Sequence, residues 1–357
     1  MKHPATLCGC FVDDPPGNRW SDDTRIANAL YLGIADVAPP SRTGTTVLGL
    51  VQLMEDISHE ATRTKNDTKR LVPIEGLIID GRYRLIRCLG TGGFASVWQA
   101  IHLVLQTKVA LKLLTPDGRA TAENLCQEAK HAAAIRHEHV VSVIDAAVLD
   151  QTAYVVMEYV QGIALSQFLL ERKRIPWMDT CKLLRGVFLG LAAAQAVGVV
   201  HRDIKPANLL VEPSGLVKIV DFGLASVVRD RIDSTIYQSI VVGTPTYMAP
   251  EQAKDPDHCT WRVDAYAMGC VFYHCLVGHP PYQGGSAIET ITMHAYHEVP
   301  LVSAAGIECP SKIVSLIADL MAKEPLSRPA SYEEIIARID RALSVRSSSF
   351  IRRLLPG

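Results

Sequence analysis

The sequence predicts an α+β fold in two lobes: a small antiparallel β-rich lobe with one key helix, then a larger, mostly α-helical lobe. Three observations predict it. Residues 82–90, "RYRLIRCLG", alternate as a strand, turn through a glycine stretch, and alternate again over 96–103, "SVWQAIHL". Helical periodicity dominates from Trp177 onward. It is interrupted once, by "HRDIKPANLLVEPSGLVKIVDFG", which holds two short strands around Leu209–Val211 and Val217–Val220 and the turn Pro213–Gly215.

Taken in order, residues 1–75 read as an N-terminal extension, partly ordered or regulatory. Pro and Gly punctuate it, as in "DDPPGNRW", and "HEATRTKNDTKR" reads as a polar linker. One island, Val47 to His59, spaces Leu50, Val51, Met54 and Ile57 at helical intervals. The folded domain is expected over 76–345, with its lobes at 76–158 and 161–345, and a tail at 346–357. Its first motif, "LGTGGFASVW", sets Gly90, Gly92 and Ala95 in the spacing G-x-G-x-x-A. A dinucleotide-binding turn of that spacing must open a helix and wants an acid about 20 residues on. Here a β-branched, aromatic strand follows, and the residue that far along is Lys112 in "KVALKLL". The glycines therefore sit at the tip of a β-hairpin. The Ala-rich "TAENLCQEAKHAAAIRH" is the key helix, and "VVSVIDAAV" and "AYVVMEYV" are two further strands.

The chain has 357 residues, 48% hydrophobic and 20% charged, which suits a folded protein with a sizeable core. A net charge of −1 argues against a nucleic-acid partner. Nine cysteines without paired C-x-x-C spacing fit a reduced, intracellular chain better than a disulfide framework. No signal peptide is visible, and a cytoplasmic location is expected. The longest apolar stretch, Val187 to Val200, has 14 residues including Gln195 and reads as a buried helix, short of the ~20 of a membrane span.

In order along the chain stand "LGTGGFASVW", "VALK", "HRDIKPAN", "DFG" and "APE". Together they resemble the signature set of the eukaryotic-type (Hanks-type) Ser/Thr protein kinases. The wording of "IDGRYRLIRCLGTGGFASVW" and "GTPTYMAPEQ" is similar to the bacterial branch. The resemblance runs from about Tyr83 to Arg341 and implies the bilobal protein kinase fold.

It also implies ATP with Mg²⁺, or Mn²⁺ in its place, and transfer of the γ-phosphate to protein Ser/Thr hydroxyls. Backbone N–H groups of a small-residue hairpin tip, Leu89, Gly90, Thr91, Gly92 and Gly93, would approach the phosphates. Val97 and Ala110 would flank the adenine, with Leu210 closing the pocket from below. Lys112 resembles the strand lysine that holds the α- and β-phosphates, with Glu128 as its helix partner. Met157 falls behind the adenine pocket, and the backbones of Glu158 and Val160 would read the adenine edge. Asp203 resembles the base that accepts the substrate proton, and Lys205 would neutralise charge on the transferred phosphoryl. Lys205 followed by Pro206 marks the Ser/Thr branch. Asn208 and Asp221 supply the hard oxygen ligands that Mg²⁺ requires.

Structural roles follow for Thr244, bonded to the catalytic Asp and Lys, for a Glu251–Arg328 ion pair, and for Asp264 holding the catalytic-loop backbone. Ser234 and Thr235, beside Arg229 and Arg231, are candidates for autophosphorylation. Ala207 implies no strong preference for basic substrates. The resemblance allows a dimer through the small lobe; the sequence itself offers no apolar stretch long enough for a transmembrane segment. Three departures stand out: Ala95 for the third loop glycine, Gln195 where a His is usual, and Ala132 where a larger apolar residue usually completes a spine with His201 and Phe222. A pseudokinase scaffold would lack Lys112, Asp203 or Asp221, and a small-molecule phosphotransferase would lack "APE" and its Arg partner.

Overall fold

A computed structural model describes residues 72–92, 95–114, 129–149, 152–222 and 245–354, with the backbone alone for Ala304 and 345–354. Glu128, Gly93, Thr244, Ser234 and Thr235 lie outside the described residues.

The small lobe is a six-stranded antiparallel sheet. Its strands are β1 (Ile78–Ile79), β2 (Tyr83–Thr91), β3 (Ala95–His102), β4 (Lys108–Leu114), β5 (Val143–Leu149) and β6 (Thr152–Glu158), in spatial order β1-β2-β3-β4-β6-β5. β2 starts by alternating, with Tyr83 and Leu85 buried and Arg84 exposed, as a one-sided strand must. β6 lies between two neighbours and is buried along its length up to Glu158, which explains its unbroken apolar run. A bulge between Cys88 and Gly90 turns the tip of the β2–β3 hairpin. Residues 129–133 are helical, where the Ala-rich pattern places a helix.

The large lobe begins with β7 (Ile163–Ala164), α1 (Leu165–Arg172) and α2 (Trp177–Ala196), then β8 (Leu209–Val211) and β9 (Val217–Ile219). Strands β7, β8 and β9 form a second small sheet in that order. There follow α3 (Pro250–Lys254), α4 (Arg262–Val277), α5 (Ala287–Tyr296), α6 (Ser311–Leu320) and α7 (Tyr332–Leu354). α4 is buried on nearly all sides and forms the lobe's centre, packed with Phe188, Leu191, Leu316 and Ile339 in one core. Among the described residues no helix is long and apolar enough to cross a membrane.

The buried helix expected over Val187–Val200 stops at Ala196. Gly198 takes φ +76°, a conformation costly for other residues, and Val199 N–H donates back to the Ala194 carbonyl, so the chain leaves the helix four residues early. α2 also needs Gly186: a Cβ there would lie 2.5 Å from the His139 ring, which packs flush against the helix while its Nδ1 bonds the Val217 carbonyl.

Candidate active site

The small lobe carries one half of the site on three adjacent strands. The β2–β3 hairpin pairs Gly90 with Val97 and Thr91 with Ser96, and closes on a 2.8 Å bond from Gly92 N–H to the Ala95 carbonyl. Leu89 is exposed at its edge. The register then carries Val97 onto Lys112 and Ala110 onto Met157. Met157 packs in one apolar cluster with Ala110, Val160 and Ala95. Three of the residues predicted around the adenine, Ala110, Met157 and Val160, thus share one apolar cluster. Leu210 follows core residue Leu209 on β8 and, by strand alternation, faces the opposite way.

Lys112 is 9% exposed between Val97 and Val155, so its ammonium requires a partner. It finds one in Asp221, with Nζ 2.8 Å from Oδ1. Asp221 holds φ +64°, a strained value for a non-glycine residue, and such strain collects at functional sites.

The other half is the loop between α2 and β8. The Lys205 ammonium is 2.8 Å from Asp203 Oδ2. Asn208 Nδ2 donates to the Asp203 carbonyl at 2.8 Å and to its Oδ2 at 3.2 Å. Two acceptors around Nδ2 fix the amide's orientation and turn Oδ1 the other way. His201 Nε2–H donates to the Val220 carbonyl, so its Nδ1 accepts from Asp203 N–H. One imidazole thereby joins this loop to the strand leading into Asp221.

From beneath, Asp264 in the first turn of α4 accepts from His201 N–H at 2.8 Å and Arg202 N–H at 2.7 Å. Burial pushes its carboxyl pKa up, opposed by His201 and the two backbone donors. Arg202 sits at φ +66° between these bonds. Glu251 and Arg328 form a bidentate pair, with Nη2 2.8 Å from Oε2, and Arg328 also donates to the Ala322 and Arg262 carbonyls.

Asn208 and Asp221 present amide and carboxylate oxygens and no sulfur. Among the described residues no cluster of three or more His, Cys, Asp or Glu could hold an ion alone. That donor set fits Mg²⁺, which is commonly held by one or two carboxylates and completed by substrate phosphates. The spine departure is visible as well. His201 and Phe222 meet edge to face with centroids 4.7 Å apart. Beyond them Ala132, Val155, Met157 and Phe222 line a cavity of about 20 Å³, room for one water.

Sequence reasoning missed two fastenings. Lys218 Nζ on β9 lies 2.6 Å from Glu158 Oε1, tying the side chain of a predicted adenine-reading residue to the large lobe. Gln252 Nε2 donates to the Arg202 carbonyl at 2.6 Å, tying α3 to the catalytic loop. Each joins lone polar residues 50 or more positions apart, with no spacing to announce them.

The model of the protein kinase domain matches residues 83–338. The chain is 31% identical over 270 residues to serine/threonine-protein kinase PrkC of Bacillus subtilis (strain 168), covering 75% of this chain and 41% of that protein. It is 34% identical over 283 residues to serine/threonine-protein kinase PknE of Mycobacterium bovis, covering 76% and 49%. The chain thus spans less than half the length of these curated relatives. Among solved structures, Rad53 1-466 in complex with AMP-PNP matches with TM-score 0.60 and 25% identity, over 72% of this chain and 64% of that one.

Proposed function

From the premise that the chain belongs to the protein kinase domain family, we propose that it transfers the γ-phosphate of ATP to serine and threonine hydroxyls of proteins. The observation that carries the reading is the joining of two motif sets through one imidazole. Lys112–Asp221 and Asp203–Lys205–Asn208 share His201, which bonds both the Asp203 N–H and the Val220 carbonyl.

In this reading Asp203 accepts the substrate hydroxyl proton and aims its oxygen. Lys205, already beside that carboxylate, meets charge on the transferred phosphoryl. Lys112 holds the α- and β-phosphates, and the β2–β3 hairpin covers them. Asn208 Oδ1 and the other Asp221 oxygen would hold Mg²⁺, with Mn²⁺ able to substitute, and the metal would supply charge neutralisation across the phosphates. Leu89 to Gly93 at the hairpin tip, Val97, Ala110, Met157, Leu210 and the backbones of Glu158 and Val160 enclose the nucleotide. Glu128 is read as the second partner of Lys112. The retained Lys112, Asp203 and Asp221 disfavour a pseudokinase scaffold, and the Glu251–Arg328 pair disfavours a small-molecule phosphotransferase.

The same reading places an N-terminal extension, partly ordered or regulatory, at 1–75 and the catalytic domain at 76–345. It puts autophosphorylation at Ser234 or Thr235, a dimer contact on the small lobe, and the protein in the cytoplasm. The test is transfer of labelled γ-phosphate to myelin basic protein. Wild type is expected to label Ser and Thr, and Asp203→Asn to lower kcat by about a thousandfold with an unchanged melting temperature. Equal rates in the two proteins would refute the mechanism.

A further inference from the structure

α5 is mostly exposed; only Thr290 and His294, one turn apart on one face, are buried. His294 is 1% exposed and its ring is fully engaged. Nε2 lies 3.0 Å from the Thr246 carbonyl, an acceptor only, so Nε2 carries the proton. Nδ1 must then accept from the Tyr266 hydroxyl, 2.9 Å away on α4. The Tyr282 ring meets the imidazole edge-on with centroids 4.8 Å apart. Lys323 Nζ donates to the His294 carbonyl at 2.7 Å and to the Tyr282 hydroxyl at 2.9 Å. Burial pulls the imidazole down to about 4, aided by the Lys323 charge and opposed by the bond to Thr246, so the ring is neutral at neutral pH.

What the ring grips is main chain. Thr246 is buried, and its carbonyl takes its donor from an element 48 residues away. The segment carrying it leads into α3, whose Gln252 is bonded to the Arg202 carbonyl, one residue from Asp203. That bond brings the end of the segment beside the residue preceding Asp203, and on the kinase reading residues 245–249 are the surface that a polypeptide presenting a hydroxyl to Asp203 would meet. Among the described residues, none assigned to the nucleotide is a hydrogen-bond or ring partner of His294.

We propose that His294 is a positioning residue for the protein substrate: by fixing the Thr246 carbonyl it sets the shape of the surface beside Asp203 on which the acceptor chain lies. This rests on the kinase reading above. A histidine that merely fills core volume would be replaced by leucine at a cost in stability alone. A positioning residue separates the two Michaelis constants, because only the protein substrate meets the displaced segment.

The experiment uses the full chain, with myelin basic protein and ATP each varied in turn. His294→Leu is expected to raise KM for myelin basic protein about tenfold while KM for ATP stays within about twofold. His294→Gln, whose amide N–H can reach the Thr246 carbonyl, is expected to restore most of that loss. A fall in melting temperature with both Michaelis constants unchanged overturns the proposal, as does an equal rise in both that His294→Gln fails to rescue. Should His294→Leu not fold, Tyr266→Phe removes the donor to Nδ1 and keeps the ring over which Arg328 lies. An increase of about threefold in KM for myelin basic protein alone is expected of it, and no increase overturns the proposal. A wild-type protein that labels no substrate overturns the kinase reading and this inference together.

Discussion

In the large lobe, the backbone around Asp203 is gripped by side chains from two other elements and from its own loop. Asp264 of α4 holds two N–H groups, Gln252 of α3 holds the Arg202 carbonyl, and Asn208 holds Asp203 at two points. In the small lobe, the described residues of the hairpin tip are held from within the hairpin, by the pairing of Gly90 with Val97 and Thr91 with Ser96 and by the bond from Gly92 N–H to the Ala95 carbonyl. A methyl group built on Gly90 would meet nothing within 4 Å. The catalytic-loop half is gripped from other elements, whereas the described residues of the hairpin tip are held from within the hairpin. The difference matches the work assigned to each: a proton acceptor must be held to a fraction of an ångström, whereas a cover must let a nucleotide in and out.

If the large lobe is the fastened half, removing one deep anchor should cost far more than its motif suggests. Arg328 is 3% exposed and supports Glu251 together with the Ala322, Arg262 and Lys323 carbonyls. Arg328→Met leaves all of these without their donor, and a loss of about 3–5 kcal/mol is expected in urea unfolding. Replacing Glu251 as well should recover part of it, since the stranded carboxylate then disappears. A single substitution costing under about 1 kcal/mol, the range of an exposed pair, would break the comparison.

Acid should loosen the same lobe. His294 and His274 are both pulled from the usual 6.5 to about 4 by burial. Unfolding lets each take a proton below pH 6.5, so this stability is complete above 6.5 and falls away as the pH drops toward 4. His294 alone accounts for about 3 kcal/mol over that window, and the less buried His274 for less. Urea midpoints at pH 7.5 and pH 5 measure it. A flat profile would mean that the two imidazoles are already accessible to protons in the native state.

How far the sequence reached depended on the same division. The hairpin was legible because a strand, and not a helix, follows the glycines, and Lys112, Asp203, Asn208 and Asp221 were legible through the ordered motifs that resemble the family's signature set. Asp264 and the Glu251–Arg328 pair came from the family pattern, and the geometry places both as expected. His294, Gln252 and the Lys218–Glu158 tie were not legible. Each is one polar residue on an element whose periodicity reports only that it is a helix or strand, and its partner lies 48 to 60 positions away. The end of α2 was misjudged because Val197–Val200 continues the apolar run past Gly198, whose left-handed backbone no hydropathy pattern reveals. Ala132 was visible as a departure, but the cavity beside it exists only once Met157 and Phe222 are packed against it.

The smallest expected effect sharpens the comparison from the other side. Ala95 begins β3 opposite Leu114, its carbonyl closes the hairpin, and it is not among the residues with positive φ. The position therefore asks for no conformation that only glycine can take, and Ala95→Gly relieves no strain. It removes one methyl from the edge of the cluster around Met157 and adds backbone freedom worth roughly 0.5–1 kcal/mol against the strand. Among the described residues a methyl built on Gly90 has no neighbour within 4 Å, so that freedom has little described contact to disturb. KM for ATP is expected to change by less than about tenfold, or ~1.4 kcal/mol, in initial-rate measurements. A larger change would mean that the cover is set as firmly as the catalytic loop, with Ala95 rather than the glycines as the residue that sets it.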